Sequence, residues 1–80
     1  MQAYIGEILL FGGNFAPKGC FICDGRLVPI AQYPSLYSIM GTRYGGDGTK
    51  NFALPDLRDR TPHPEATYVI AYSGEFPQRE

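Results

Sequence analysis

The chain has 80 residues, with 7 basic and 8 acidic side chains, a formal net charge of −1, 44% hydrophobic and 14% aromatic residues. That length allows one small domain, and a chain this short buries only about 60% of its unfolded surface, so stability is marginal without staples or neighbours. The near-neutral, mixed charge offers no basic stripe to nucleic acid or an anionic membrane, the aromatic content argues against disorder, and no run approaches the roughly 20 apolar residues of a membrane helix.

The opening MQAYIGEILLFGG lacks a basic n-region, a full apolar h-region and a small-residue cleavage site, so it does not read as a secretory signal peptide. Residues 5–11 read as a strand stopped by Gly12-Gly13-Asn14, and the unbroken run Ile8-Leu9-Leu10-Phe11 predicts cover on both faces. Residues 15–19 form a turn with Pro17 and Gly19, and residues 20–23 a short second strand. Asp24-Gly25 predicts a two-residue type I′ hairpin leading into a third strand over residues 26–30, with Pro29 at an edge or an end. Residues 34–40 are the one helix: Pro34 suits its first position, Gly41 the residue past its end, and Leu36, Ile39 and Met40 give a stripe for docking on a sheet. Tyr33 and Tyr37, four apart, are placed along one edge of it. Residues 43–51 are loop, Phe52-Ala53-Leu54 is a brief extended piece ended by Pro55, and residues 67–73 are the last strand.

The chemistry on offer is sparse. Cys20 and Cys23 form a lone CxxC with β-prone flanks; i and i+3 in a strand face opposite sides, so two small packing residues are favoured over a redox or intersubunit pair. His63 is the single histidine, which leaves a four-ligand Cys/His zinc set incomplete within one chain. Gly45-Gly46-Asp47-Gly48-Thr49-Lys50 has the wrong order for a phosphate loop, and Asp47, Thr49 and Asn51 lack the glycine and closing glutamate of a calcium loop. An Asx-turn at Asp47 is the plainer reading. Asp56 and Asp59 lie among Arg58 and Arg60, which reads as an ion-pair cluster holding a loop rather than an acid/base pair. No catalytic residue, cofactor or metal is assigned. The 6 tyrosines are the remaining signal, suited to sugar stacking or protein interfaces as well as to covering a thin sheet.

Taken in order, the pieces become specific. Gly6-Glu7-Ile8, Asn14-Phe15-Ala16-Pro17-Lys18-Gly19 and Cys23-Asp24-Gly25-Arg26-Leu27-Val28-Pro29-Ile30 come first. Tyr33-Pro34-Ser35-Leu36-Tyr37, Gly41-Thr42-Arg43-Tyr44-Gly45-Gly46-Asp47-Gly48 and Phe52-Ala53-Leu54-Pro55-Asp56-Leu57-Arg58 follow. This string resembles the phage tail-collar domain family, which includes bacterial proteins called microcystin-dependent, and it does so over residues 3–60 almost without gaps. The end, Tyr68 through Gly74-Glu75-Phe76-Pro77, is similar to that family's closing strand and tail. The usual tryptophan after Gly19 is Cys20 here, and the usual glycine after Arg58 is Asp59, which tolerates positive φ better than most residues. The variable segment before the closing strand shrinks to residues 61–67, which favours assembly over receptor recognition.

The expectation is therefore an α+β fold: a small, mainly β domain of short strands and hairpins with one short helix packed on the sheet. It forms one domain over residues 1–80, with a core at 3–60 and a closing strand at 67–77. The resemblance implies a non-catalytic structural subunit, self-assembling into a fibre, filament or ring-like appendage as a homo-oligomer, trimer or filament, on a virion or an extracellular appendage. A glycan- or receptor-binding module is the alternative, with a cell-surface glycan as partner. Ile8, Leu10, Tyr44, Tyr68, Ile70, Tyr72 and Phe76 are the candidate assembly residues; Asp24, Gly25, Asp47, Pro55, Asp56 and Arg58 are the structural loop residues.

Overall fold

A computed structural model describes residues 3–78. Five strands, β1 (Ile8–Phe11), β2 (Cys20–Ile22), β3 (Leu27–Pro29), β4 (Asn51–Ala53) and β5 (Thr67–Ala71), accompany one helix, α1 (Pro34–Met40). They form two antiparallel sheets, one of order β1-β5-β2 and one a β3-β4 ribbon. The mainly β, α+β architecture expected from the sequence is the one observed.

The last strand in the chain is the central strand of the larger sheet. It pairs with β1 from Ile8↔Ile70 to Phe11↔Thr67, and with β2 from Cys20↔Ala71 to Ile22↔Val69. Pairing on both sides satisfies the edges of β5 and a cluster covers each of its faces, so Val69 and Ile70 are 0% exposed. The Ile70 face looks onto the main core, where Val28 of β3, Phe52 of β4 and Leu36 and Met40 of the helix meet Cys23 and Leu54, which directly follow β2 and β4. The Val69 face joins Cys20 and Ala71 in a smaller cluster flanked by Leu9, Phe11 and Ala16.

Helix α1 has the bounds expected. Pro34 opens it, Leu36 and Met40 are its buried residues, and the Gly41 N–H closes it on the Tyr37 carbonyl at 2.7 Å. Tyr33 and Tyr37 do not share an edge. Tyr33 packs edge-on against Phe21 and Tyr72, whereas Tyr37 leans on Phe52.

Four expectations are corrected. Strand β1 starts at Ile8 rather than residue 5, because a turn closed by the Glu7 N–H on the Tyr4 carbonyl at 3.0 Å precedes it. Its run is not covered on both faces: Leu9 and Phe11 are half-buried, while Ile8 and Leu10 remain 37% and 46% exposed. The Asp24-Gly25 hairpin does not form, since β2 and β3 belong to different sheets and no described residue other than glycine has positive φ. Asp59 therefore sits in an ordinary conformation too. Instead, the β3-β4 ribbon runs on, aligned residue for residue, to a bridge between Asp24 and Asp56. Finally, β5 ends at Ala71 rather than residue 73.

The loop between α1 and β4 is held by close backbone approach. Gly46 has φ +95, and a Cβ there would lie 2.5 Å from Phe52 Cα. Gly12, by contrast, has nothing within 4 Å of its Cβ position. Gly46→Ala is therefore expected to destabilise the fold by more than about 2 kcal/mol, from strain plus displacement of β4, and Gly12→Ala to change it by less than about 0.5 kcal/mol. Urea unfolding of both variants checks this; equal effects would mean that the loop yields.

Candidate functional site

Among the described residues no group of three or more His, Cys, Asp or Glu side chains could hold a metal ion. Cys20 and Cys23 are both free and buried, and they belong to clusters on opposite faces of the sheet. Burial, with smaller contributions from Asp24 and Cys20, pushes the Cys23 thiol up to about 11. A thiol so far from ionisation is a packing group, because the thiolate is the nucleophile. His63 is exposed, and its Nδ1 accepts the Glu65 N–H at 3.1 Å, tying down a short connecting turn.

The acidic residues of the loops serve the backbone. Asp47 Oδ1 accepts three N–H bonds, from Thr49 and Lys50 at 2.8 Å and from Asn51 at 3.1 Å. Asn51 Oδ1 returns one by accepting the Asp47 N–H at 3.1 Å. The three donors hold the Asp47 carboxyl below its usual range. The ring of donors a phosphate would need is thus already taken by the chain's own carboxylate.

Two Asp-x-Arg units close the far end of the ribbon. Arg26 grips Asp24 with Nε at 3.0 Å and Nη2 at 2.9 Å; Arg58 grips Asp56 with Nε at 2.9 Å and Nη2 at 2.7 Å. Each aspartate also accepts the backbone N–H of its own arginine. The two aspartates are bridge partners, so each bidentate arginine offsets a carboxylate facing another carboxylate. Gly25 donates its N–H to the Pro55 carbonyl at 3.3 Å, and Pro55, having no N–H, cannot return the bond. The side-chain bond from Arg58, followed by its backbone N–H, lowers Asp56 to about 2.

The apolar surface groups scatter. Ile8 and Leu10 lie together on β1, Tyr44 (43% exposed) lies in the loop after the helix, and Phe76 (54%) lies in the tail. Tyr68 and Tyr72 are half-buried, and Tyr72 spends much of its ring on Phe21, 4.5 Å away between centroids. Ile70 is a correction: it is wholly interior, since its strand is central and its side chain faces the main core. Phe15 and Leu27, which the candidate assembly residues do not include, are each more than half exposed, as is Tyr4, one of the six tyrosines. Alternation around buried Val28 is the signal that would have found Leu27.

In this fold of two small sheets and one short helix, the carboxylates of Asp24, Asp47 and Asp56 are engaged by the chain's own backbone and arginines. The chain belongs to the Phage Tail Collar Domain family, which matches residues 6–62. That family is a structural component of phage tails. A stretch of 44 residues is also 39% identical to Protein RhiB of Rhizobium leguminosarum bv. viciae, covering 51% of this chain and 20% of RhiB. The chain thus spans a minor part of that relative's length.

Because the folded value of Asp56 lies below the ordinary ~3.9, its pairing favours the fold above about pH 4, and that contribution is lost as pH falls through 4 towards 2. Exposure and salt screening keep the effect on stability modest. A carbon-13 NMR titration is expected to give an Asp56 midpoint near 2, rising toward the ordinary value in Arg58→Ala. A midpoint near 4 in the unaltered protein would show that the ion pair is not formed in solution.

Proposed function

We propose that this chain is a non-catalytic structural subunit that packs against further copies of itself in a tail-related appendage, a fibre, filament or ring, on a virion or an extracellular structure. The observation that carries the reading is the outer margin of β1, which no described strand pairs with and where Ile8 and Leu10 stand exposed on an edge strand. Edge strands of soluble monomers are normally blunted by charge, proline or a covering element. Membership of a structural tail family and a core divided into two small clusters support the same conclusion. Light scattering coupled to size exclusion is expected to give a mass that is a multiple of 8.9 kDa, with a thermal midpoint that rises with protein concentration. A monomer at every accessible concentration, with a concentration-independent midpoint, would overturn it.

A glycan-binding role is the second reading, favoured by one feature. Tyr44 presents an exposed ring from a loop whose backbone is fixed by Asp47, a stacking surface with little ordering cost. A glycan array is expected to show signal that Tyr44→Ala abolishes while assembly persists; an array without signal removes this reading and leaves the first untouched.

A further inference from the structure

We infer that the self-contact is a two-fold, antiparallel pairing of β1 with β1 of a second copy, centred on Leu9. This rests on the reading that copies pack together, and it names the surface and the register. Along a strand, the N–H and C=O of one residue point to the same side and alternate with those of the next. The Glu7 carbonyl accepts the Ala71 N–H at 3.0 Å, so Glu7 faces β5, as do Leu9 and Phe11 two and four residues on. Ile8 and Leu10 therefore direct their backbone groups away from the sheet, where no described strand lies. The same two residues carry the exposed side chains.

Symmetry then restricts the register. Opposed residues in an antiparallel pair share a face, so a two-fold axis falls on a residue of the strand, and an axis at Ile8 would leave Leu10 facing Gly6. An axis at Leu9 sets each Ile8 opposite the partner's Leu10, joining both exposed side chains of both copies into one apolar patch. An axis at Leu10 leaves Ile8 facing Gly12, which covers nothing.

Charge fits a second copy of this chain. None of the four residues of β1 is charged, so no like charges meet in the ladder. The flanking Glu7 residues of the two copies fall at opposite ends of the pairing, about 13 Å apart at ~3.3 Å per residue. That exceeds the screening length of about 8 Å at physiological salt. The other margins are guarded, by Pro29 within β3, by Lys50 beside β4 and by the Asp24–Arg26 pair just past β2. A four-residue ladder buries less than the roughly 1,200 Å² of a stable interface, so the contact is weak alone and depends on concentration or on repetition.

Cysteine cross-linking reads the register directly. Opposed residues that are not hydrogen-bonded to each other have Cα atoms about 4.5 Å apart, within disulfide range. Under mild oxidation Leu9→Cys is expected to give a covalent dimer, whereas Leu10→Cys and the unaltered protein, whose own thiols are buried, do not. The double variant Ile8→Lys/Leu10→Lys is expected to keep the native circular dichroism and lose association. Cross-linking through Leu10→Cys, or association that survives the lysines, would overturn the inference while leaving self-assembly standing through another face. A monomeric unaltered protein would sink both. Should the lysine variant not fold, the cross-linking pattern still decides.

Discussion

The pairing on both sides of β5 is the constraint on which the remaining structure depends. Strands β1 and β2 are laid down early, on either side of a turn, yet neither pairs with the other; each waits for a strand from the far end of the chain. Closing so long a loop costs entropy that local hydrogen bonds cannot repay. Burial of Val69, Ile70 and Ala71 on both faces at once repays it. Without Ile70 in place, the helix and the ribbon have no sheet to pack upon, since Leu36, Met40, Phe52 and Leu54 meet in the cluster that Ile70 completes. The chain reinforces this closure beside the sheet: Glu75 donates its N–H to the Ala3 carbonyl at 3.1 Å, and Ile5 donates to the Glu75 carbonyl at 2.9 Å. Gly74 permits that approach, because a Cβ there would collide with the Ala3 carbonyl oxygen.

The polar chemistry follows the same logic of holding a thin structure in shape. Asp24, Asp47 and Asp56 each accept bonds from residues two to four positions ahead, so their interactions are local and set loop conformation rather than join distant elements. Exposed pairs of this kind contribute little to global stability. Their value lies in fixing the ribbon's end and the loop after the helix without drawing on the core, a sound arrangement where the core is small.

How much of this the sequence disclosed depends on whether the signal was local. Helix α1 was legible to its bounds, since Pro34, the Leu36–Ile39–Met40 spacing and Gly41 act within a few residues. The Asx-turn at Asp47 and the Asp56–Arg58 pair were legible for the same reason. The Asp24-Gly25 pair misled because turn residues permit a hairpin but do not choose strand partners; the long-range demand of β5 for β2, and of β4 for β3, chose them. Ile70 was misplaced because alternation separates two faces without saying that both are covered. The opposite error befell Ile8 and Leu10, where an unbroken apolar run suggested two-sided cover on a strand that proves to be an edge.

Apolar residues on both faces of an edge strand have no intramolecular use on the side left open, and a soluble monomer gains nothing by keeping them there. An isologous contact through β1 closes on itself, so it yields a pair and stops. Growth into a fibre then demands a second, different surface on each subunit. Leu27 on β3 and Phe76 in the tail, both more than half exposed, lie on elements outside β1. In the proposed assembly, small separate apolar sites, each too weak to act alone, would draw their strength from repetition rather than from any single interface, as effective concentration within a polymer multiplies modest affinities.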